Sequence, residues 1–170
     1  MAEYDAVDRV VNQWNRERPD VDVSPLEVIG RVSRLSRTVD RIIGENYARH
    51  GIEYWMFDVL ATLRRSGEPF ELSAGQLVKQ TMVTTGAMTN RIDRMEQRGL
   101  VERVTAEDRR KVIVRLTPEG LKLVDEVIVT HMETEEEILA ALSGRQRDEL
   151  ARLLKKVLLH LGDGAELPKS

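Results

Sequence analysis

Two charged side chains occupy positions where the sequence otherwise favours apolar ones. Arg91 lies in "TTGAMTNRIDRMEQRGLVER", a predicted helix whose apolar stripe is Met88, Ile92 and Met95. At about 100° per residue, Arg91 falls about 70° from the centre of that stripe. Asp58 lies in "WMFDVLATL", a predicted helix that is apolar nearly all round. A half-buried guanidinium needs an anion and a buried carboxylate needs a cation, so the two residues predict a structural ion pair or a site for a small anion.

The helix that holds Arg91 also carries side chains suited to DNA. Threonine and glycine at its start leave hydroxyl and N–H groups for phosphates, while asparagine and arginine can donate to adenine and guanine edges. The candidate contacts in and before this helix are Ser73, Thr84, Thr85, Gly86, Thr89, Asn90 and Arg94. In the loop "TAEDRRK", Arg109 or Arg110 would enter the flanking minor groove, held in place by Asp108. Asp93 is expected to orient a neighbouring arginine. Taken alone, the loop also fits a solvated turn.

Composition narrows the class of protein. The 170 residues are 41% apolar and 32% charged, with 4% aromatic residues, a balance that favours a helix-rich domain with one sizeable core. No apolar run reaches about 18 residues and the N-terminus lacks an apolar signal core, so we expect a cytoplasmic protein without a membrane partner. The chain has no cysteine, and His50, His131 and His160 lack metal-ligand spacing. We therefore expect no metal, no cofactor, no catalytic residue and no enzyme activity.

The charge distribution is more informative than its sum. The net charge is −3, but residues 79–115 contain nine Lys/Arg against five Asp/Glu. A basic central segment in an acidic frame suits local contact with phosphates, although a solvated face has the same composition.

Helical periodicity and capping residues divide the first half of the chain. We predict a helix over 3–17, a second from the Ser24 N-cap and Pro25 to about Arg49, and a third over 53–65. Ser73 then caps a short helix to Gln80, and after a three-residue turn Thr84 or Thr85 caps the helix that ends at Gly99. Two short helices joined in this way have the size and order of a helix-turn-helix.

The second half begins with a predicted β-hairpin. Leu100–Val104 and Val112–Leu116 are β-branched, alternating stretches joined by the charged loop. Long helices follow from Pro118 to about Ala140 and, after a capping box at Ser143, to about His160. The long end helices exceed what a small central domain needs for a core, so we expect them to pack against a second copy in a twofold dimer.

The central motif resembles that of a known family. The stretch "LSAGQLVKQTMVTTGAMTNRIDRMEQRGLVERVTAEDRRKVIVRLTPEG" is similar to the helix-turn-helix and wing of the MarR family, including the Asp108-Arg109-Arg110 signature. The resemblance implies a mainly α protein with a small β-hairpin wing, a dimeric MarR-like winged helix-turn-helix with an extra N-terminal helix. It also implies a homodimeric regulator of double-stranded operator DNA that is usually released by a small molecule.

One branch of that family shares three further features. They are the N-terminal helix bearing Trp14, the aspartate of "WMFDVLATLRR", and an arginine at position 91 where most members carry an aliphatic residue. This branch contains regulators that respond to urate or to tricarboxylates such as trans-aconitate. The resemblance implies that Trp14, Asp58 and Arg91 line the pocket of a small anionic effector, with Arg103 also implicated.

From these elements and the resemblance we expect the chain to have three functional regions. Residues 1–50 supply N-terminal helices for dimerisation and a pocket wall, 51–116 form the winged helix-turn-helix, and 117–170 supply C-terminal dimerisation helices. Two alternatives remain open. The chain can be a winged-helix DNA-binding or protein-interaction module without an effector response, with Asp58 and Arg91 purely structural. Trp14 can also be ordinary core packing of the added helix.

Overall fold

A computed structural model of the chain describes residues 4–81, 83–105 and 112–164. Seven helices and three strands occur within these ranges. In chain order they are α1 (Ala6–Glu17), α2 (Pro25–Arg49), α3 (Tyr54–Arg65), β1 (Glu71–Ser73), α4 (Ala74–Thr81), α5 (Thr85–Gln97), β2 (Val101–Thr105), β3 (Val112–Leu116), α6 (Pro118–Ile138) and α7 (Gly144–His160). The predicted helices and both predicted strands are confirmed to within a few residues at each end.

The chain forms two compact units, one ending at His131 and the other beginning at Met132, so that α6 contributes to both. No helix in the described ranges is long and apolar enough to cross a membrane. The predicted boundaries at residues 50 and 116 separate regions by their function and not by their contacts, and they stay a prediction.

A third strand extends the predicted hairpin. The sheet has the order β1-β3-β2 with both pairings antiparallel, and Arg115 in the central strand faces Glu71 on one side and Glu102 on the other. Arg115 binds Glu71 at 2.6 Å and approaches Glu102 at 3.8 Å. Strand β1 was not predicted because three residues carry no alternating pattern, and it exists only through its pairing with β3.

The core of the first unit lies between α3, α4, α5 and the sheet. Its buried members include Leu60, Leu63, Leu77, Met88, Ile92, Met95, Val101 and Val114. Burial of each such side chain stabilises the fold by roughly 1.5–3 kcal/mol. The buried stripe of α5 therefore anchors that helix on the core and leaves its opposite side exposed.

The added N-terminal helix packs on α2. Val7 and Val11 of α1 form a small buried cluster with Val23. The guanidinium of Arg31 in α2 binds Asp5 at 2.8 Å and Asp8 at 2.7 Å. Apolar burial and a forked ion pair thus hold α1 in place.

The helix caps agree with the sequence in two of three cases in the first unit. Ser73 Oγ accepts from the Gln76 N–H and donates to Gln76 Oε1, and Thr84 Oγ1 accepts from the N–H of Ala87. Ser24 stands in the predicted N-cap position and Pro25 begins α2, but the Ser24 side chain makes no capping hydrogen bond and its backbone is already helical. Its backbone N–H donates to Asp22 Oδ1 at 3.0 Å.

Both units expose apolar side chains on long helices. In α2 these are Val28, Ile29, Val32 and Leu35. In α7, which begins with the predicted capping box between Ser143 and Gln146, they are Leu153, Leu154, Val157, Leu158 and Leu159. Such stripes on water-exposed helices are typical of surfaces that pack against another chain.

Candidate DNA interface and effector site

The start of α5 presents the predicted DNA-contacting face. Thr85, Gly86, Thr89 and Asn90 are all exposed, and Thr84 is exposed while it caps the helix. A side chain added at Gly86 would meet no atom within 4 Å, so the surrounding fold does not require glycine there. The face is therefore open at the helix N-terminus, where N–H groups and hydroxyls favour phosphate oxygens.

Three other predicted DNA-contacting residues, Ser73, Arg109 and Arg110, lie outside this face. The Ser73 hydroxyl is engaged in both directions by Gln76, as part of the α4 cap. Arg109 and Arg110 lie outside the described residues, so their contacts remain predictions. Of the predicted wing, the structure describes the two strands alone.

Arg94 is exposed as well, but its side chain is engaged within the chain. Its Nη2 donates to Glu53 Oε1 at 2.5 Å, and its guanidinium carbon lies 4.7 Å from the centroid of the Trp55 ring. Glu53 Oε2 also accepts from the indole Nε1 at 2.8 Å. Hydrogen bonds from Trp55 and Arg94, with the nearby charge of Arg98, hold the pKa of the Glu53 carboxyl below its ordinary value.

Arg91 and Asp58 influence each other electrostatically, but the described residues show no direct ion pair between them. The guanidinium of Arg91 lies over the Trp55 ring, 5.6 Å from its centroid, within cation–π range. Asp58 is half-buried on α3, and among the described residues no basic nitrogen lies within 4 Å of its carboxylate. Burial raises the pKa of the Asp58 carboxyl, and the positive charges of Arg91 and Arg65 only partly oppose that rise. Charge therefore couples α3 to α5 through space.

Trp14 is not core packing in this chain. Its side chain is 48% exposed and lines an open groove with Gln13, Arg16 and Glu17, all from α1. The α1 cluster at Val7 and Val11 does not include it. The groove is formed by α1 alone and contains neither Asp58 nor Arg91.

Arg103 connects the wing to α5. Its guanidinium binds the carboxylates of Asp93 and Glu96, and its backbone N–H donates to Glu96 Oε1 at 3.2 Å. The prediction that Asp93 orients a neighbouring arginine is confirmed, and that arginine is Arg103. Any anionic ligand of Arg103 would have to compete with two carboxylates.

Sequence reasoning missed Glu53, Trp55 and Arg65 as parts of this site. Trp55 and Asp58 are three residues apart, and Arg65 follows seven later, so the three share one stripe of α3. Their spacing could have indicated one polar stripe on α3. The apolar residues beside Trp55 instead favoured the prediction of a fully buried helix. In the described ranges, no group of three or more metal-ligating side chains is assembled.

The three-stranded wing, the helix-turn-helix of α4 and α5, and the exposed start of α5 define a winged-helix DNA-binding protein. The MarR family model matches residues 50–111. The transcriptional regulator PecS of Dickeya dadantii (strain 3937) is 41% identical over 162 residues, covering 95% of this chain and 98% of PecS. The chain belongs to the MarR family of transcriptional regulators and is not an enzyme.

Two solved structures support the same assignment. A MarR mutant from Escherichia coli in complex with operator DNA is 27% identical, with a TM-score of 0.68, and the match covers 85% of this chain and 97% of that one. BpsR of Bordetella bronchiseptica, whose DNA binding is regulated by 6-hydroxynicotinic acid, is also 27% identical, with a TM-score of 0.65 over 76% of this chain and 93% of BpsR. The protein is accordingly a regulator that binds operator DNA.

Proposed function

We propose that the protein is a ligand-responsive repressor. A homodimer binds a near-palindromic operator and leaves it when a small organic anion, such as urate or trans-aconitate, binds beside Arg91. The observation that carries the proposal is the position of Arg91. The helix that exposes Asn90 to DNA also directs a guanidinium against Trp55, in the electrostatic field of Asp58. The regulation of BpsR by an aromatic carboxylic acid supports an effector of this class.

The chemistry of Arg91 suits such an effector. Its planar fork can donate two parallel hydrogen bonds to a carboxylate or to a urate-like edge. The ligand's negative charge would repel Asp58, whose carboxylate is already disfavoured by burial. Arg91 would move toward the ligand and carry α5 with it. Two α5 helices must stay in register on one duplex, so a small shift in each lowers operator affinity.

The energy required is modest. A ligand releases DNA only to the extent that it binds the released state better than the DNA-bound state. A tenfold loss of operator affinity needs about 1.4 kcal/mol of such preference. One charge-assisted hydrogen bond gained by Arg91, worth roughly 1.5–3 kcal/mol, is sufficient.

Trp14 and Arg103 are secondary candidates for contact with the effector. Trp14 is an exposed aromatic side chain on a groove, and such a ring can stack on a planar ligand. Arg103 would first have to leave Asp93 and Glu96. Arg91 is therefore the principal effector-binding residue. Substitution of Trp14 by Phe tests whether the Trp14 ring forms one wall of the effector pocket, as the resemblance to the family branch implies.

The dimer and its DNA site follow from the exposed apolar stripes. Val28 and Leu35 in α2, and Leu154 and Leu158 in α7, belong to surfaces that a second copy would cover. Two recognition helices would then lie about one DNA turn apart, roughly 34 Å. Because its target is operator DNA, we place the protein in the cytoplasm with the nucleoid. A monomeric mass at micromolar concentration, or a footprint on one asymmetric half-site, would contradict this assembly.

A second candidate function is a winged-helix DNA-binding module without an effector response. Its support is that both charged groups already have partners within the chain, since Arg91 lies on the Trp55 ring and the charges of Arg91 and Arg65 partly offset the burial of Asp58. In this case the two residues only stabilise the contact between α3 and α5.

Titration of urate and trans-aconitate against the protein–operator complex distinguishes the two functions. The wild type should release DNA with one anion, whereas Arg91→Ala and Asp58→Asn should keep the fold and DNA binding but lose the response. Arg64→Ala and Asp125→Asn are matched controls, because Arg64 lies over Phe70 and pairs with Asp125 at 2.7 Å elsewhere in the unit. Equal responses from the wild type and both test variants would favour the second candidate.

A further inference from the structure

Three arginines lie along one side of α5 and its C-cap. Arg91, Arg94 and Arg98 follow each other at spacings of three and four residues, which places them on the same side of the helix. All three contact the beginning of α3. Arg91 and Arg94 lie against Trp55, and Arg98 Nη1 lies 3.2 Å from the sulfur of Met56.

Glu53 is the carboxylate that faces this side of α5. It precedes α3 in the N-cap position, but its side chain makes no capping bond to the helix. Both of its oxygens are used otherwise, one by the indole N–H of Trp55 and the other by the guanidinium of Arg94. Glu53 and Arg94 are each about half exposed, so water and other anions can reach the pair.

The position of Arg94 around the helix decides which anion would compete. At about 100° per residue, Arg94 lies about 110° from the centre of the exposed face formed by Thr85, Gly86, Thr89 and Asn90. When that face enters the major groove, residues on the flank of the helix face a phosphate wall rather than base edges. A backbone phosphate is therefore the natural DNA partner of Arg94.

We propose that Glu53 is an intramolecular competitor of operator DNA. In the DNA-free protein it holds the guanidinium of Arg94 beside Trp55, and DNA binding transfers Arg94 from the Glu53 carboxylate to a backbone phosphate. The exchange lowers affinity for all DNA and leaves base recognition by Asn90 unchanged. The inference rests on DNA binding by the family and is independent of the effector proposal, because no small molecule takes part.

Glu53→Gln tests the competition, because glutamine keeps an acceptor for the indole N–H and removes the charge. Without any effector, its operator affinity should rise roughly fivefold. The slope of log K against log salt should stay the same, because Arg94 reaches its phosphate in both proteins, whereas Arg94→Ala should flatten it by about 0.9 per protomer. In an Arg94→Ala background, Glu53→Gln should change neither quantity. Glu45→Gln is the matched control, since Glu45 pairs with Arg41 at 2.7 Å on α2, and it should leave operator affinity unchanged.

A second readout follows Trp55 directly. The chain has two tryptophans, so a Trp14→Phe variant reports Trp55 alone. Operator binding should change its emission as the Arg94 stack is lost, and Arg94→Ala should remove most of that change. The proposal is overturned if Glu53→Gln weakens or does not affect operator binding. It is also overturned if the gain persists in the Arg94→Ala background, which would show a general charge effect.

Discussion

The guanidinium of Arg103 in β2 binds the carboxylate of Asp93 in α5, and Glu96 one turn further along α5 binds the same guanidinium. One side chain of the wing thus binds two carboxylates of the recognition helix. Because both elements contact DNA in a winged helix, their relative orientation is part of the DNA-binding surface.

Arg103→Ala should lower operator affinity by about tenfold and the free energy of unfolding by less than about 2 kcal/mol, since exposed ion pairs contribute roughly 0–1 kcal/mol each. Fluorescence anisotropy and chemical denaturation measure the two effects. Arg115→Ala is the control, because it breaks contacts to Glu71 and Glu102 within the sheet and none to α5. A variant at Arg103 with normal DNA binding and no anion response would instead place this arginine in the effector pocket.

Two substitutions separate DNA positioning from base recognition. Arg110→Ala should weaken binding across sequences and flatten the salt dependence, as expected for a minor-groove or backbone contact. Asn90→Ala should relax the preference at one base pair by about 1–3 kcal/mol. Binding to a panel of single-base operator variants at several salt concentrations measures both. If the two variants showed the same pattern, this division of roles would be wrong.

Gly86→Ala tests the close approach of α5 to DNA. The added methyl group meets no atom of the chain within 4 Å, so thermal stability should be unchanged or slightly higher. Operator affinity should nevertheless fall about tenfold, or about 1.4 kcal/mol, because the methyl group keeps the helix N-terminus from the phosphates. Gly44→Ala in α2 is equally unhindered and serves as the control. Unchanged affinity in the Gly86 variant would show that the backbone does not approach DNA there.

Gly120→Ala tests the junction between the wing and α6. A Cβ at Gly120 would lie 1.9 Å from the carbonyl oxygen of Leu100, a backbone atom that cannot move alone. We expect a loss of roughly 1–3 kcal/mol in the free energy of unfolding, measured by urea denaturation. The same substitution at Gly44 supplies the reference, and equal stability of the two variants would contradict this packing.

Asp58 should make the protein less stable as pH rises. Burial raises the pKa of its carboxyl above the ordinary 3.8, so the native state retains a proton that the unfolded chain releases. Its unfavourable contribution is therefore absent below about pH 3.8, grows as pH rises from there to the native pKa, and is complete above the native pKa. Asp58→Asn should be more stable than the wild type at pH 7, with the difference vanishing in acid. Denaturation curves across this range test the sign, and an Asn variant less stable at pH 7 would refute it.

The sequence by itself determined the helices, the hairpin strands and the polar start of α5. These features depend on neighbours three or four residues apart, such as the stripe of Met88, Ile92 and Met95 or the Thr84 cap, and local spacing is visible in a single chain. Local spacing also gave Ser24 as the N-cap of α2, but it could not show that the Ser24 side chain makes no capping hydrogen bond. It also made Trp55 look like plain core.

The tertiary structure alone decided the partners of the charged side chains. Arg94 binds Glu53 from 41 positions away, and β1 exists as a strand only because β3 offers it an edge. Arg91 lies on the Trp55 ring rather than in contact with Asp58. Charge is nondirectional and several carboxylates were available to each arginine, so the choice depended on which helix faces meet, and that is fixed by packing of the whole core.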